Sequence, residues 1–593
     1  MFQYERWHRP SSNPDEATDT ERLAALVATR QRRMYVMLAV MAGVFTLLAW
    51  RLFYWQVLER EAVLALRPLA RVEQAEQAPR GTIRDRNGYL LAIDTTRYNI
   101  GVSPNLIADP EALAAEVAPL IGRSEEELQA LFTRDEPYVR IANMVPYTVG
   151  HTLANMETPA FVIEPVILRS HPNGALAAHV VGFVNLDRQG YGLERTFADW
   201  LEGGEVPCSP PLCRVVSETV AEEVKLGPRV FVPTREGVDL VLTIDRNIQF
   251  MAEQELQAAI EMYGAESGTI IVMDPKTGDV LAMANWPSYN PDEYANVPAE
   301  RFINPAISEQ YEPGSTFKVI TVASALDAEA IQPDMVFNDT GTLEVGGRII
   351  KNWDGKGRGP VNLRQILGYS LNTATAWINT QLGVEQFLAY VDAFGFGKPT
   401  GIGMPEEAAG AVKRPGDGLW HPSDLGTNAF GQGIAVTPIQ MTRAFAAIVN
   451  GGNLVRPRLI RAVVDHGRIL EFEPQVDGQP ISSFTAHYMQ TLLADAVELE
   501  TRTALIDGYR IGGKTGTAQV PIPGGYHKED TIASFIGYAP VDDPQFVILV
   551  KLDKPKGEFR WGSQSAAPTF QRLARRLLTY MNIPPDRLRL SQR

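Results

Sequence analysis

The sequence predicts an α+β protein tethered by a single N-terminal transmembrane helix. Its main domain is an antiparallel sheet flanked by helices. Three observations carry this. Residues 34–50 contain no charged side chain, and no second apolar run of comparable length follows. Strand-like alternation gathers near 238–285 and again near 514–552, and the stretch between them reads as helices. Strands at both ends of a segment with a helical middle make one α+β domain with helices on both faces of its sheet.

The 593 residues are 45% hydrophobic and 21% charged, enough for two to four domains with ample core. A formal net charge of −15 without any basic stripe argues against a nucleic-acid partner. The eight histidines are scattered, with no His-Glu-x-x-His and no cysteine-rich knuckle, so neither a metal nor a cofactor is expected.

In chain order, residues 1–33 read as a polar cytoplasmic tail without fixed structure, with Pro10 to Pro14 near its start. Arg30, Arg32 and Arg33 close it and put the N-terminus in the cytoplasm. Residues 34–57 read as an uncleaved anchor: Arg51 snorkels, and Trp50, Tyr54 and Trp55 suit the far interface. A cleaved signal peptide is disfavoured by the long polar lead and the missing small-x-small site.

A middle region follows without a hydrophobic span. Asn87-Gly88 between alternating flanks predicts a hairpin. Arg80, Arg84, Asp85 and Arg86 beside it read as a structural ion network rather than a catalytic set. Cys208 and Cys213, with Ser-Pro-Pro-Leu between them, are the only cysteines. Outside the cell they would form a local disulfide pinning a proline turn; otherwise they are two unpaired loop thiols.

From Val238 the texture changes. Val238–Ile244 reads as a strand, and Asp245 caps a helix through Ile260. Strands at Gly268–Asp274 and Asp279–Asn285 form a hairpin. Helices are expected over 316–328, 361–380, 384–394 and 436–450. Strands return at Lys514–Val520, Thr531–Tyr538 and Gln545–Leu552, before an amphipathic helix over Ser565–Tyr580.

Three stretches carry chemistry. In Tyr311-Glu-Pro-Gly-Ser-Thr-Phe-Lys318, helical spacing puts Ser315 and Lys318 on one face, a turn apart. Pro313 and Gly314 stop what precedes, and the apolar run from Phe317 to Leu326 buries the helix. A serine in that first turn meets free N–H groups and needs a base. Lysine serves only if burial or a second cation lowers its pKa. In Tyr369-Ser370-Leu371-Asn372-Thr373, Ser370 could relay a proton and Asn372 could fix an amide. In Gly512-Gly-Lys-Thr-Gly-Thr517, Lys514 offers a cation, Thr515 and Thr517 share a strand face, and Gly516 marks a close approach to the backbone. The string Lys-Thr-Gly-Thr is expected by chance on the order of 0.01 times in a chain this long.

Ser-x-x-Lys, Ser-x-Asn and Lys-Thr-Gly in this order resemble the signature of β-lactamases and penicillin-binding proteins. The chain resembles a monofunctional (class B) penicillin-binding protein, a peptidoglycan D,D-transpeptidase. The likeness extends to Arg80-Gly-Thr-Ile-Arg-Asp-Arg-Asn-Gly88, Leu242-Thr-Ile-Asp245, Phe430-Gly-Gln-Gly433, Ser534-Phe-Ile-Gly-Tyr-Ala-Pro540 and Ala566-Ala-Pro568. Leu371, where the family usually has a small or polar residue, departs from it. The resemblance implies an elongated mixed α/β pedestal (dimerisation) domain over 58–237 and a transpeptidase domain over 238–593. It implies Ser315 as nucleophile, Lys318 as its base, and Ser370 and Lys514 as proton carriers. Asn372 would orient Lys318 and the substrate amide, and Thr515, Gly516 and Thr517 would bind substrate. It also implies peptidoglycan stem peptides as substrates, covalent trapping by β-lactam antibiotics, and a SEDS-family membrane glycosyltransferase (FtsW/RodA-like) as partner among divisome or elongasome proteins. Tyr311-Glu-Pro-Gly314 and the Ser534–Pro568 tail resemble the FtsI-like division type more than the elongation type. The rival readings are a serine β-lactamase, which must also activate water, and a membrane β-lactam sensor, which needs a cytosolic effector.

Overall fold

The computed structural model describes residues 14–53, 79–156, 158–208, 213–218 and 236–591. Two compact units are distinguished, Met1–Gln77 and Ala78–Arg593.

In the first unit, Pro14–Phe53 is one 40-residue helix. Its Arg32–Arg51 segment has a mean hydropathy of 1.7 over 20 residues, with none of it buried against protein. At 1.5 Å per residue this is about 30 Å, the thickness of a hydrocarbon core. The helix starts well ahead of the apolar run, so the tail expected to lack structure is helical from Pro14. Proline at the first helical position and the Ala-, Leu- and Glu-rich sequence after it favour that start. Tyr54, Trp55 and Val57 lie outside the described residues.

The second unit contains two large sheets. In the first, the short strand Ile83–Arg84 pairs antiparallel with Leu90–Val102 and parallel with Asp239–Leu242. Ile460–Asp465, Arg468–Phe472 and Cys213–Glu218 extend it on one side. Val139–Pro146 and Phe161–Ser170 pair with Leu90–Val102 on the other. Strands from before and after residue 238 therefore share one sheet. The Asn87-Gly88 turn is closed by Asp85, whose carboxylate accepts the N–H groups of Asn87, Tyr89 and Arg246 at 2.8–3.0 Å. Nearby, buried Glu194 accepts from Arg80 at 2.7 Å and Arg169 at 2.5 Å, and Arg169 also pairs with Asp94.

The second sheet is fully antiparallel, in the order Gly512–Ile522, Gly525–Ala539, Phe546–Asp553, Ser267–Met273, Val280–Trp286. Burial on both faces explains the near-continuous apolar run of its central strand. Ile548, Val550 and Leu552 pack with helices Arg246–Tyr263 and Ala566–Tyr580. Val547 and Leu549 join the core of helices Lys318–Asp327, Pro438–Val449 and Ser483–Glu500 on the opposite face. Asp245 caps helix Arg246–Tyr263 by accepting the N–H groups of Asn247 at 2.9 Å and Ile248 at 3.2 Å.

The helix expected over 361–380 is instead two helices, Leu363–Gly368 and Asn372–Leu382. The break is Tyr369-Ser370-Leu371, with Ser370 in the left-handed region at φ 55°. For a non-glycine residue this costs about 1 kcal/mol or more. Leu371 drops into the core at 1% exposure, which accounts for an apolar residue between Ser370 and Asn372.

Candidate active site

The Ser315 turn is built from both sides. Gly314–Phe317 is a 3₁₀ turn that continues into the α-helix Lys318–Asp327. Phe317, Val319, Ile320, Val322 and Ala323 are at most 1% exposed, so the helix is core on most faces and carries Lys318 into the interior with it. Ser315 stays half-buried. On one side Gly314 N–H donates to Gly431 O at 3.2 Å. On the other lies the Lys514 strand: a Cβ on Gly516 would collide with Ser534 Oγ and stand 3.0 Å from both Pro313 O and Thr316 Cγ2. Only glycine admits that approach.

Lys318 is 0% exposed, and its Nζ lies within hydrogen-bond distance of three oxygens. These are Ser370 O at 2.5 Å, Ser370 Oγ at 3.1 Å and Asn372 Oδ1 at 2.8 Å. The left-handed turn at Ser370 aims both its carbonyl and its hydroxyl at this amine. Lys514, 3% exposed, reaches the same hydroxyl from the opposite side, 3.1 Å from Ser370 Oγ, and also touches Thr515 O at 3.1 Å and Thr515 Oγ1 at 3.3 Å. One hydroxyl thus stands between two buried amines.

Neither lysine pairs with a carboxylate within 4 Å among the described residues, and burial therefore works against their charge. Burial, and after it the Lys514 charge, pulls Lys318 well below the usual 10.5. Burial brings Lys514 down to about 7. Asn372 completes the lysine's surroundings: its Nδ2 donates to Lys351 O at 3.0 Å, which turns its oxygen toward Lys318. Thr517 Oγ1 accepts from Gly562 N at 3.0 Å and keeps its own proton to donate.

All the residues singled out in the three stretches lie in this one neighbourhood. Cys208 and Cys213 lie apart from it, bridged with Cα atoms 5.5 Å apart. Several neighbours were not singled out. Glu312 accepts from Gly433 N at 2.9 Å and from Tyr526 Oη at 3.2 Å, and burial raises its carboxyl pKa. The Phe430 ring lies 6.0 Å from Lys318 Nζ. Both sit in family-like strings (Glu-Pro-Gly-Ser and Phe-Gly-Gln-Gly), which was the available signal. Tyr526 and the buried Asp339–Asn352–Thr373 cluster give no such signal, because only the fold brings them near.

An antiparallel sheet under a Ser-x-x-Lys helix, with a Lys-Thr-Gly edge strand and a buried lysine pair, defines the serine acyltransferases that react with penicillin. Residues 268–575 match the penicillin binding protein transpeptidase domain, and residues 75–198 the penicillin-binding protein dimerisation domain. Stage V sporulation protein D of Bacillus subtilis is 31% identical over 586 residues, covering 96% of this chain and 88% of that protein. FtsI of Escherichia coli, a peptidoglycan D,D-transpeptidase, is 29% identical over 539 residues, covering 87% and 86%. Penicillin binding protein 3 of Mycobacterium tuberculosis, solved with aztreonam, aligns with a TM-score of 0.66 at 28% identity over 86% of this chain and 97% of that one. Penicillin binding protein 2X of Streptococcus thermophilus has the same fold, with a TM-score of 0.72 at 24% identity over 85% and 79%. The chain belongs to the penicillin-binding proteins, in the class B arrangement of a dimerisation domain followed by a transpeptidase domain, and it is a transpeptidase.

Proposed function

We propose that the chain is a peptidoglycan D,D-transpeptidase that cross-links stem peptides through an acyl-enzyme on Ser315. The observation that carries this reading is the Ser370 hydroxyl held between the Nζ atoms of Lys318 and Lys514 at 3.1 Å each. Neutral Lys318 takes the Ser315 proton as Ser315 Oγ bonds to the carbonyl carbon of the penultimate D-Ala. The C–N bond to the terminal D-Ala breaks, and its nitrogen receives a proton through Ser370 and Lys514. An amine from a neighbouring stem peptide then attacks the ester, gives up a proton along the same path and frees Ser315. The N–H groups of Ser315 and Thr517 face the developing oxyanion, a contribution of about 3 kcal/mol per donor. Thr515, Gly516 and Thr517 line the edge that receives the terminal carboxylate, and Asn372 holds the substrate amide. β-Lactams trap Ser315 as a stable ester.

Within this reading residues 1–33 are a cytoplasmic tail, 34–57 a single membrane span, 58–237 the pedestal and 238–593 the catalytic domain on the outer side. The span is supported by the Arg32–Arg51 apolar segment and the arginines that precede it. An outer location also suits a Cys208–Cys213 disulfide. We assign the protein to septal wall synthesis with a SEDS-family glycosyltransferase, on the likeness to FtsI. Depletion in its host should then give filaments; rounded cells would indicate elongation instead.

The chemical test is fluorescent-penicillin labelling of the full chain and of Ser315→Ala over hours. A lasting label that the variant lacks is expected. A label that clears within minutes would indicate a β-lactamase, and no label on folded protein would remove Ser315 from its role.

A further inference from the structure

Asp339 ends the strand Val336–Asp339, far in sequence from each of the three motifs. It is 2% exposed and makes no ion pair within 4 Å among the described residues; the Arg358 guanidinium acts on it electrostatically but pairs with Asp354 at 2.7 Å. A buried carboxylate without a directly paired cation is costly unless its oxygens are filled by donors. Here they are. Oδ1 accepts Thr373 Oγ1 at 2.7 Å, Gly341 N at 3.0 Å and Asn352 Nδ2 at 3.1 Å, and Oδ2 accepts Asn352 Nδ2 at 2.9 Å and Arg358 N at 3.0 Å.

Two of these donors adjoin the groups that hold Asn372. Thr373 follows Asn372 directly, and its N–H donates to Asn352 Oδ1 at 3.3 Å. Asn352 follows Lys351, whose carbonyl accepts from Asn372 Nδ2 at 3.0 Å. Asp339 therefore ties the 351–352 backbone to the 372–373 helix start, and the Asn372 amide spans the gap from Lys351 O to Lys318 Nζ. If the two segments separate, nothing decides which end of that amide faces the lysine. Its NH₂ end would offer Lys318 a donor where an acceptor now stands.

We propose that Asp339 is a positioning residue for the transpeptidase reaction: through Thr373 and Asn352 it fixes the Asn372 amide with its oxygen toward Lys318. This rests on the reading of Lys318 as the base for Ser315.

The test is the second-order acylation rate with fluorescent penicillin for the full-length protein, Asp339→Asn, Asn372→Ala and the double variant, from pH 5.5 to 9. Asp339→Asn should acylate about 10–100-fold more slowly, the scale of a sub-ångström to 1 Å misplacement, with an altered pH profile. In the Asn372→Ala background it should add less than about twofold, because its route of action is already gone. Losses that multiply in the double variant would make Asp339 an independent structural residue and overturn the proposal. So would a wild-type rate in Asp339→Asn. A wild-type rate in Asn372→Ala would instead remove the site reading on which the proposal rests. If Asp339→Asn does not fold, Thr373→Val, which deletes the bridging hydroxyl, should be slow and Thr373→Ser, which keeps it, near wild type; equal rates for these two would also overturn the proposal.

Discussion

Replacing Lys514 with methionine should make the protein more stable and less active. Lys514 is buried, and its pKa falls from 10.5 to about 7. At 1.36 kcal/mol per pH unit, holding the protonated amine in this site costs roughly 5 kcal/mol. Methionine keeps the volume but gives up the hydrogen bonds to Ser370 Oγ and Thr515 O, about 1 kcal/mol each. The variant should therefore gain about 3 kcal/mol below pH 7. The sign follows from proton counting. Between pH 7 and 10.5 the unfolded chain holds a proton on Lys514 that the native site has released. Wild-type stability therefore rises with pH over that window, and the advantage of Lys514→Met falls to zero near about pH 9 and reverses by about 2 kcal/mol, the two lost hydrogen bonds, above it. The assay is the thermal midpoint of the detergent-solubilised full chain at a series of pH values from 6 to 10, with penicillin acylation measured alongside. A midpoint at least about 3 °C higher at pH 6, falling to or below that of the wild type by pH 10, is expected, together with acylation slowed by about 10²-fold or more. Equal midpoints at every pH would refute the claim that this site holds its second amine at the expense of stability.

Three further outcomes follow from other contacts. Gly516→Ala places a methyl 3.0 Å from Pro313 O and Thr316 Cγ2, so the nucleophile turn must shift by a few tenths of an ångström; stability should drop by about 1–3 kcal/mol, and acylation by about tenfold in a stopped-flow labelling assay. Tyr526→Phe removes the hydroxyl that donates to Glu312 at 3.2 Å, so limited trypsin digestion should cut beside Lys528 severalfold faster while the sheet core stays resistant. Glu194→Ala removes the buried carboxylate that Arg80 and Arg169 share and leaves them only Glu202 and Asp94; it should destabilise the fold by about 3 kcal/mol in melting experiments yet leave penicillin labelling per folded molecule unchanged.

The sheet was legible because its strands are buried on both faces or alternate cleanly. Helix Arg246–Tyr263 was legible because Asp245 caps it and apolar residues recur at helical spacing through Ile260. The three motifs were legible because each pairs a reactive side chain with a local rule: a core helix, a turn, a glycine inside a strand. What stayed hidden depends on tertiary contact. The break at Ser370 falls inside the stretch expected as one helix, 361–380, and the local signal for it was Gly368, which ends the first of the two helices. The break persists because Leu371 gains a core site and Ser370 gains two lysines. The prolines and serines near the start of the tail point away from structure, but the helix-forming residues behind Pro14 decide the outcome. Asp339 and Tyr526 carry no sequence mark at all, because their roles exist only once distant strands have been brought together.

The nucleophile turn has little freedom to wander, and the reason lies in backbone rather than side-chain contacts. A Cβ on Gly431 would collide with Gly314 O, and one on Gly516 would come within 3.0 Å of Pro313 O, so main chain closes on residues 313–314 from two directions. Tyr311, just upstream, exchanges both of its main-chain hydrogen bonds with Val436 at 2.9 Å. Lys318, one turn downstream, is held by Ser370 and Asn372. Ser315 is thus fixed between anchored neighbours, while no hydrogen bond among the described residues ties down its own hydroxyl. That combination favours reaction, since the oxygen that must move toward a carbonyl carbon is the unrestrained atom in a rigid frame. It also sets the order in which damage should appear. Substitutions that widen the frame at Gly431 or Gly516 should slow acylation before they unfold the protein, whereas losses in the pedestal ion network should unfold it before they slow the chemistry.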